Sequence, residues 1–152
     1  MKLVTNSLED TVELGNRLGQ TLKPGMTLLL EGDLGAGKTT LSQSIGKGLG
    51  VKRHMTSPTF SIIKSYKGKY RVHHMDCYRL EGSDEDLGFD EYFNDEDIVL
   101  VEWYTFIEDY LPSEYLHVAI RYIDETTREI EFTPVGDKYI ELVGELSENT
   151  IN

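Results

Sequence analysis

The chain has 152 residues, 39% of them hydrophobic, which suits a single domain able to bury roughly 68–70% of its unfolded surface. With 27 acidic residues against 15 basic, the net charge is −12, which disfavours strong direct binding to a polyanion such as tRNA. Cys77 stands alone, excluding an internal disulfide or a multi-cysteine zinc site, and no apolar run approaches the roughly 18 residues of a membrane span. The Met1 end lacks the apolar core of a signal peptide, so the expected location is the cytoplasm.

In chain order, Ser7 with Asp10 three positions on predicts a helix start, and Leu8, Val12, Gly15, Leu18 and Leu22 supply an apolar stripe. The Thr5-Asn6-Ser7 opening serves as its N-cap or as a contact to a nucleotide's base or ribose. Residues 26–30 (Met-Thr-Leu-Leu-Leu), behind a Pro24-Gly25 turn, read as a short buried strand. That strand feeds Gly32-Asp33-Leu34-Gly35-Ala36-Gly37-Lys38-Thr39, which fits the phosphate-cradling pattern G-x-x-x-x-G-K-[ST] at every fixed position.

The pattern needs a helix behind it, because phosphates are held by backbone N–H groups converging on a helix's positive end. Leu41, Ile45 and Leu49 recur every four residues and Gly50 follows, so that helix is expected. Glycines at 32, 35 and 37 let the chain approach phosphate closely, Lys38 brings a compact charge to the β- and γ-phosphates, and the Thr39 hydroxyl can ligate magnesium.

Further on, Thr56-Ser57-Pro58-Thr59-Phe60 crowds three hydroxyls around a proline that enforces extended backbone. It reads as a segment sensing the γ-phosphate by ordering, with Thr59 as its nucleotide contact, or as an ordinary hydroxyl-rich turn. Residues 60–66 and 70–76 form two β-rich runs around Lys67-Gly68-Lys69, a hairpin. Asp76, at the second strand's end, is placed to position an attacking water or a magnesium-bound water, and Arg79 to pair with it or with a phosphate. His73 and His74 are adjacent and so point to opposite faces, which rules out a two-ligand site and assigns both to packing or surface hydrogen bonding.

From residue 81 to 97 nine acids occur with no lysine or arginine among them, interleaved with Leu87, Phe89, Tyr92 and Phe93. This is a solvated face or a docking face for a basic protein surface. Ile98-Val99-Leu100-Val101 then reads as a strand covered on both sides, with Glu102 at its carboxyl end, where ligands of parallel sheets gather. Glu102 is a candidate to hold magnesium opposite Thr39, directly or through water, or to act as a base, while Trp103 lines the site or packs. Strand-like runs at 116–123 and 129–132 flank Asp124-Glu125-Thr126-Thr127, Tyr139, Leu142, Val143 and Leu146 have helical spacing, and 147–152 are expected to fray.

The expected architecture is therefore α/β: a single P-loop NTPase-like domain over 1–152, three-layer α/β/α, with a central mostly parallel sheet plus antiparallel additions. Four motifs in this order, Gly-Asp-Leu-Gly-Ala-Gly-Lys-Thr-Thr (32–40), Ser-Pro-Thr-Phe (57–60), His-Met-Asp-Cys-Tyr-Arg-Leu (74–80) and Val-Glu-Trp (101–103), give a chain that resembles the TsaE (formerly YjeE) family. The resemblance implies a small ATPase of tRNA threonylcarbamoyladenosine biosynthesis, using ATP and Mg2+, slow by itself and working with the TsaB and TsaD proteins that transfer the group.

By position it implies catalytic roles for Lys38, Asp76 and Glu102, and magnesium ligation by Thr39 and Glu102. It implies nucleotide contacts from Gly32, Leu34, Gly35, Ala36, Gly37, Lys38, Thr39, Thr40, Thr59 and Trp103. Arg128 lies in a C-terminal stretch that matches no motif of the family and is, apart from the resemblance, a candidate contact to the base. Cys77 stands where the family more often has an apolar residue and is expected to be neutral. Two other readings are weaker. A small-molecule kinase needs a lid, often arginine-bearing, and the arginines at 17, 53, 71, 79, 121 and 128 are scattered; a guanine-reading switch needs Asn-Lys-x-Asp, which the chain lacks.

Overall fold

The computed structural model describes residues 1–32, 36–53, 55, 63–78 and 88–150. The continuously apolar runs become the centre of the sheet. In β2 (Thr27–Gly32) the first four residues are buried and in β5 (Ile98–Glu102) all five are, as expected of strands covered on both faces. They pair in parallel, and β2 also pairs in parallel with β6 (Tyr115–Tyr122), while β5 takes β4 (Arg71–Asp76) on its other side.

Antiparallel neighbours finish both edges. The predicted hairpin is present as β3 (Ile63–Lys67) against β4, and β6 turns through residues 123–127 into β7 (Arg128–Val135). A strand absent from the sequence reading, β1 (Lys2–Thr5), pairs with β7, so seven strands run in the order β1-β7-β6-β2-β5-β4-β3. Lys-Leu-Val-Thr does not alternate polar with apolar, which is why β1 left no period-two signal.

Alternation along the strands separates two cores. Leu28, Leu30, Val72, Ile98 and Leu100 meet α1 (Leu8–Thr21), α2 (Lys38–Gly48) and α3 (Asp137–Thr150) on one face. Leu29, Met75, Val99 and Val101 face the other way, onto Phe89 and Ile107 from 3-10 turns at Phe89–Glu91 and Tyr104–Tyr110. The layers are unequal, since among the described residues all three α-helices share one face. No described helix is long and apolar enough to cross a membrane.

Ser7 caps α1 as expected, its Oγ accepting from the Asp10 N–H at 3.1 Å. The stripe that α1 buries is shifted, however: Thr11, Leu14, Gly15, Leu18 and Gly19 are inside and Leu8 is 63% exposed. Backbone approach to α2 decides this, because a Cβ on Gly15 would collide with the Ser44 side chain and one on Gly19 with the Ile45 carbonyl. At the other end of the chain, α3 runs to Thr150, and its Tyr139 hydroxyl accepts from the Thr27 N–H at 2.7 Å, tying it to β2.

The order β2-β5-β4 brings three carboxyl ends together: Leu30 is level with Glu102, and Glu102 with Asp76. Gly32 ends β2 at the same edge, six residues before α2 begins.

Candidate functional site

The site is built where that edge meets the first turn of α2. Gly37 occupies the N-cap with φ 107°, a left-handed conformation that costs glycine little, and no side chain caps the helix. With no acid in that first turn, its outward N–H groups and the positive end of the helix are available to an anion. Lys38, the first helical residue, is largely buried, and its Nζ lies 3.8 Å from Glu102 Oε1 and 4.8 Å over the Trp103 ring.

Glu102 is only 5% exposed, and its other oxygen, Oε2, accepts a hydrogen bond from His74 Nε2 at 2.6 Å. Both groups arrive by strand alternation: Val72, His74 and Asp76 share a face of β4, as Ile98, Leu100 and Glu102 do on β5, and the pairing register sets these triplets side by side. Burial pushes the Asp76 carboxyl above the ordinary aspartate range, and the Glu102 charge adds to this against an opposing hydrogen bond from the Tyr78 N–H. Asp76 is thus a carboxylate of raised proton affinity at the open end of the sheet, a character suited to a base. Its neighbour Cys77 is fully buried, and burial followed by the Asp76 charge pushes the thiol up to about 12, so it stays protonated and unreactive.

Trp103 is the sole non-glycine residue of positive φ among those described, at 58°. That conformation costs a residue with a Cβ roughly 1–2 kcal/mol, and here it breaks β5 directly after Glu102 and keeps the indole out of the core. The ring is 42% exposed, stacked on Phe106 at 6.2 Å and tilted against Tyr78 at 5.0 Å. With Gly32, Lys38 and Tyr104 it lines a cavity of about 120 Å³.

Across the loop lies a larger cavity of about 320 Å³, lined by Ser7, Thr11, Ala36, Gly37, Thr40 and Arg128 among others. Arg128 donates from Nε to the Ala36 carbonyl at 2.9 Å, and its guanidinium sits 4.6 Å over the Tyr122 ring. Such a volume is near the lower end of ligand pockets, roughly 300–1,000 Å³.

Of the residues singled out in the sequence, Gly32, Lys38, Asp76, Glu102 and Trp103 gather at this edge of the sheet, Thr39 is exposed on the first turn of α2, and Ala36, Gly37 and Thr40 line the larger cavity. Leu34, Gly35, Thr59 and Arg79 lie outside the described residues, as do the 56–60 segment and the acidic residues 81–87. Among the described residues no three His, Cys, Asp or Glu side chains converge as a metal cluster.

His74 is the residue sequence reasoning missed. It is neither a packing group nor a surface one: it is buried and bonded to Glu102, and its signal was the two-residue spacing from Asp76 on the same strand face. His73 points the opposite way, as expected, and there its Nδ1 meets Ser65 Oγ at 2.7 Å and its Nε2 meets Asp97 Oδ2 at 2.8 Å. The aromatics of the acidic run also turn inward, Phe89 fully buried and Tyr92 and Phe93 packed on the second core.

Comparison with known proteins places these features. The family model described as "Threonylcarbamoyl adenosine biosynthesis protein TsaE" matches residues 5–130. A protein of Bacillus subtilis (strain 168) named "tRNA threonylcarbamoyladenosine biosynthesis protein TsaE" is 47% identical over 148 residues, covering 97% of this chain and 94% of its own. One of the same name from Treponema pallidum (strain Nichols) is 33% identical over 132 residues, covering 86% and 98%. Among solved structures, the crystal structure of YdiB from Bacillus subtilis superposes with a TM-score of 0.83 at 40% identity, over 99% of this chain and 96% of that one.

Proposed function

The chain belongs to the TsaE family of threonylcarbamoyladenosine biosynthesis proteins, and from that premise we propose that it is a magnesium-dependent ATPase whose turnover of ATP supports the TsaB–TsaD pair in modifying tRNA. The observation that carries this reading is the uncapped start of α2 with Lys38 held between Glu102 and Trp103, level with Asp76 on the next strand.

Each group has a task that its surroundings suit. The first-turn N–H groups and Lys38 bind the phosphates and offset their charge. Thr39 and Glu102 are the residues that would hold magnesium, which when bound would supply further neutralisation of the phosphate charge. Asp76, with its raised proton affinity, orients the attacking water and takes up its proton. Thr11, Thr40 and Arg128 line the cavity that receives the nucleoside, and Trp103 walls off the side of Lys38.

The net charge of −12 leaves contact with tRNA to the partner proteins, and a group supplied by them completes an otherwise slow site. Phosphate release from MgATP, measured with and without TsaB and TsaD, tests the reading. We expect slow release alone, faster release with the pair, and no phosphorylated acceptor. Absence of release with both partners present would overturn it, and a phosphorylated small molecule would transfer the assignment to a kinase.

A further inference from the structure

We propose that His74 is a positioning residue for Glu102, fixing the carboxylate so that one oxygen stays free to meet magnesium; this rests on the magnesium-dependent ATPase reading above. A carboxylate only accepts, so the 2.6 Å contact requires the hydrogen on His74 Nε2. Oε2 is thereby committed to His74, and Oε1 is the atom turned toward Lys38, at 3.8 Å, beyond a hydrogen bond.

The other ring nitrogen contributes no hydrogen bond to the fold. Nδ1 is buried without a hydrogen-bond partner among the described residues. An apolar side chain at this 1% exposed position would leave no ring nitrogen unpaired but would strip the buried Glu102 Oε2 of its donor. What the histidine adds over such a side chain is the one directed N–H, and that N–H is spent on the oxygen next to the metal-facing one. Partners of this kind set the rotation of a ligating carboxylate, and removing them typically weakens metal binding by about 10–100-fold.

The experiment measures Mn2+ binding to the protein–ATP complex by electron paramagnetic resonance, alongside ATP affinity without metal and thermal unfolding. His74→Leu is expected to weaken Mn2+ binding about 10–100-fold while metal-free ATP affinity stays as in the parent and unfolding stays cooperative, at a lower midpoint because the buried Glu102 loses its donor. His74→Gln, whose amide nitrogen reaches about where Nε2 does, restores most of the affinity, and His74→Asn, whose amide sits near Nδ1, does not. This pair also decides the matter if the leucine variant fails to fold. In a Glu102→Gln background the effect of His74→Leu should vanish, because both act through one carboxylate.

Parent-like Mn2+ affinity in His74→Leu or in His74→Asn overturns the proposal, as does an undiminished effect in the Glu102→Gln background. If the parent shows no ATP-dependent Mn2+ binding, the magnesium-dependent ATPase reading is what falls, and the proposal with it.

Discussion

His73 and His74 are neighbours on β4, and each meets a carboxylate, at 2.8 Å and 2.6 Å, yet the two pairs have different surroundings. His73 is satisfied at both ring nitrogens, by Ser65 and Asp97, on the face covered by 3-10 turns. His74 is satisfied at one, on the helix face, beside the lysine of the loop. On the proposed reading, the strand's period of two separates a pair that serves the fold from a pair that serves a site, and the unsatisfied buried nitrogen belongs to the second.

The largest expected effect falls on the His74 side. Lys38→Ala removes the cation facing Glu102 and should lower phosphate release from MgATP by about 10²–10³, the loss of one preorganised electrostatic group. Unfolding should remain cooperative, because Glu102 keeps its hydrogen bond from His74. Release within tenfold of the parent, with partners present, would show that the charged side of the loop is not where turnover is decided.

A smaller effect is expected across the loop. Arg128→Ala deletes the hydrogen bond to the Ala36 carbonyl and one wall of the larger cavity. It should raise the KM for ATP about tenfold with kcat nearly unchanged, because what is lost is binding common to ground and transition states. A fall in kcat with KM unchanged would mean that Arg128 acts on the chemistry, which would erase the division between a charged side and a shape-reading side.

These contrasts were unequally legible in the sequence. The parallel core, the hairpin and the helix after the loop could be read because apolar runs, a Lys-Gly-Lys turn and a four-residue period are local signals. The meeting of Glu102 with Asp76 followed from strand ends sharing one edge. What stayed hidden depends on partners distant in the chain: His74 finds Glu102 28 residues on, and the buried face of α1 is set by the close glycine contact with α2 rather than by its own leucines. Trp103 was ambiguous for a similar reason, since only the left-handed turn after β5 sends its ring to the site instead of the core.

The smallest effect belongs to the other histidine. Burial works to raise the Asp97 carboxyl, but hydrogen bonds from His73 and Asn94 outweigh it and hold the folded value below the ordinary one. A carboxylate depressed in the folded state stabilises fully above its unfolded pKa, about 3.9, and loses that contribution as pH falls through the lower folded value. Asp97→Asn should therefore cost under about 1 kcal/mol at neutral pH, the pair being partly exposed, and leave phosphate release unchanged. The gap between variant and parent should close as pH falls below about 4, read from urea midpoints across pH 3–7. A gap that persists undiminished at pH 3 would show that charge on Asp97 is not its source, and a fall in phosphate release would show that the two histidine pairs are coupled through the sheet.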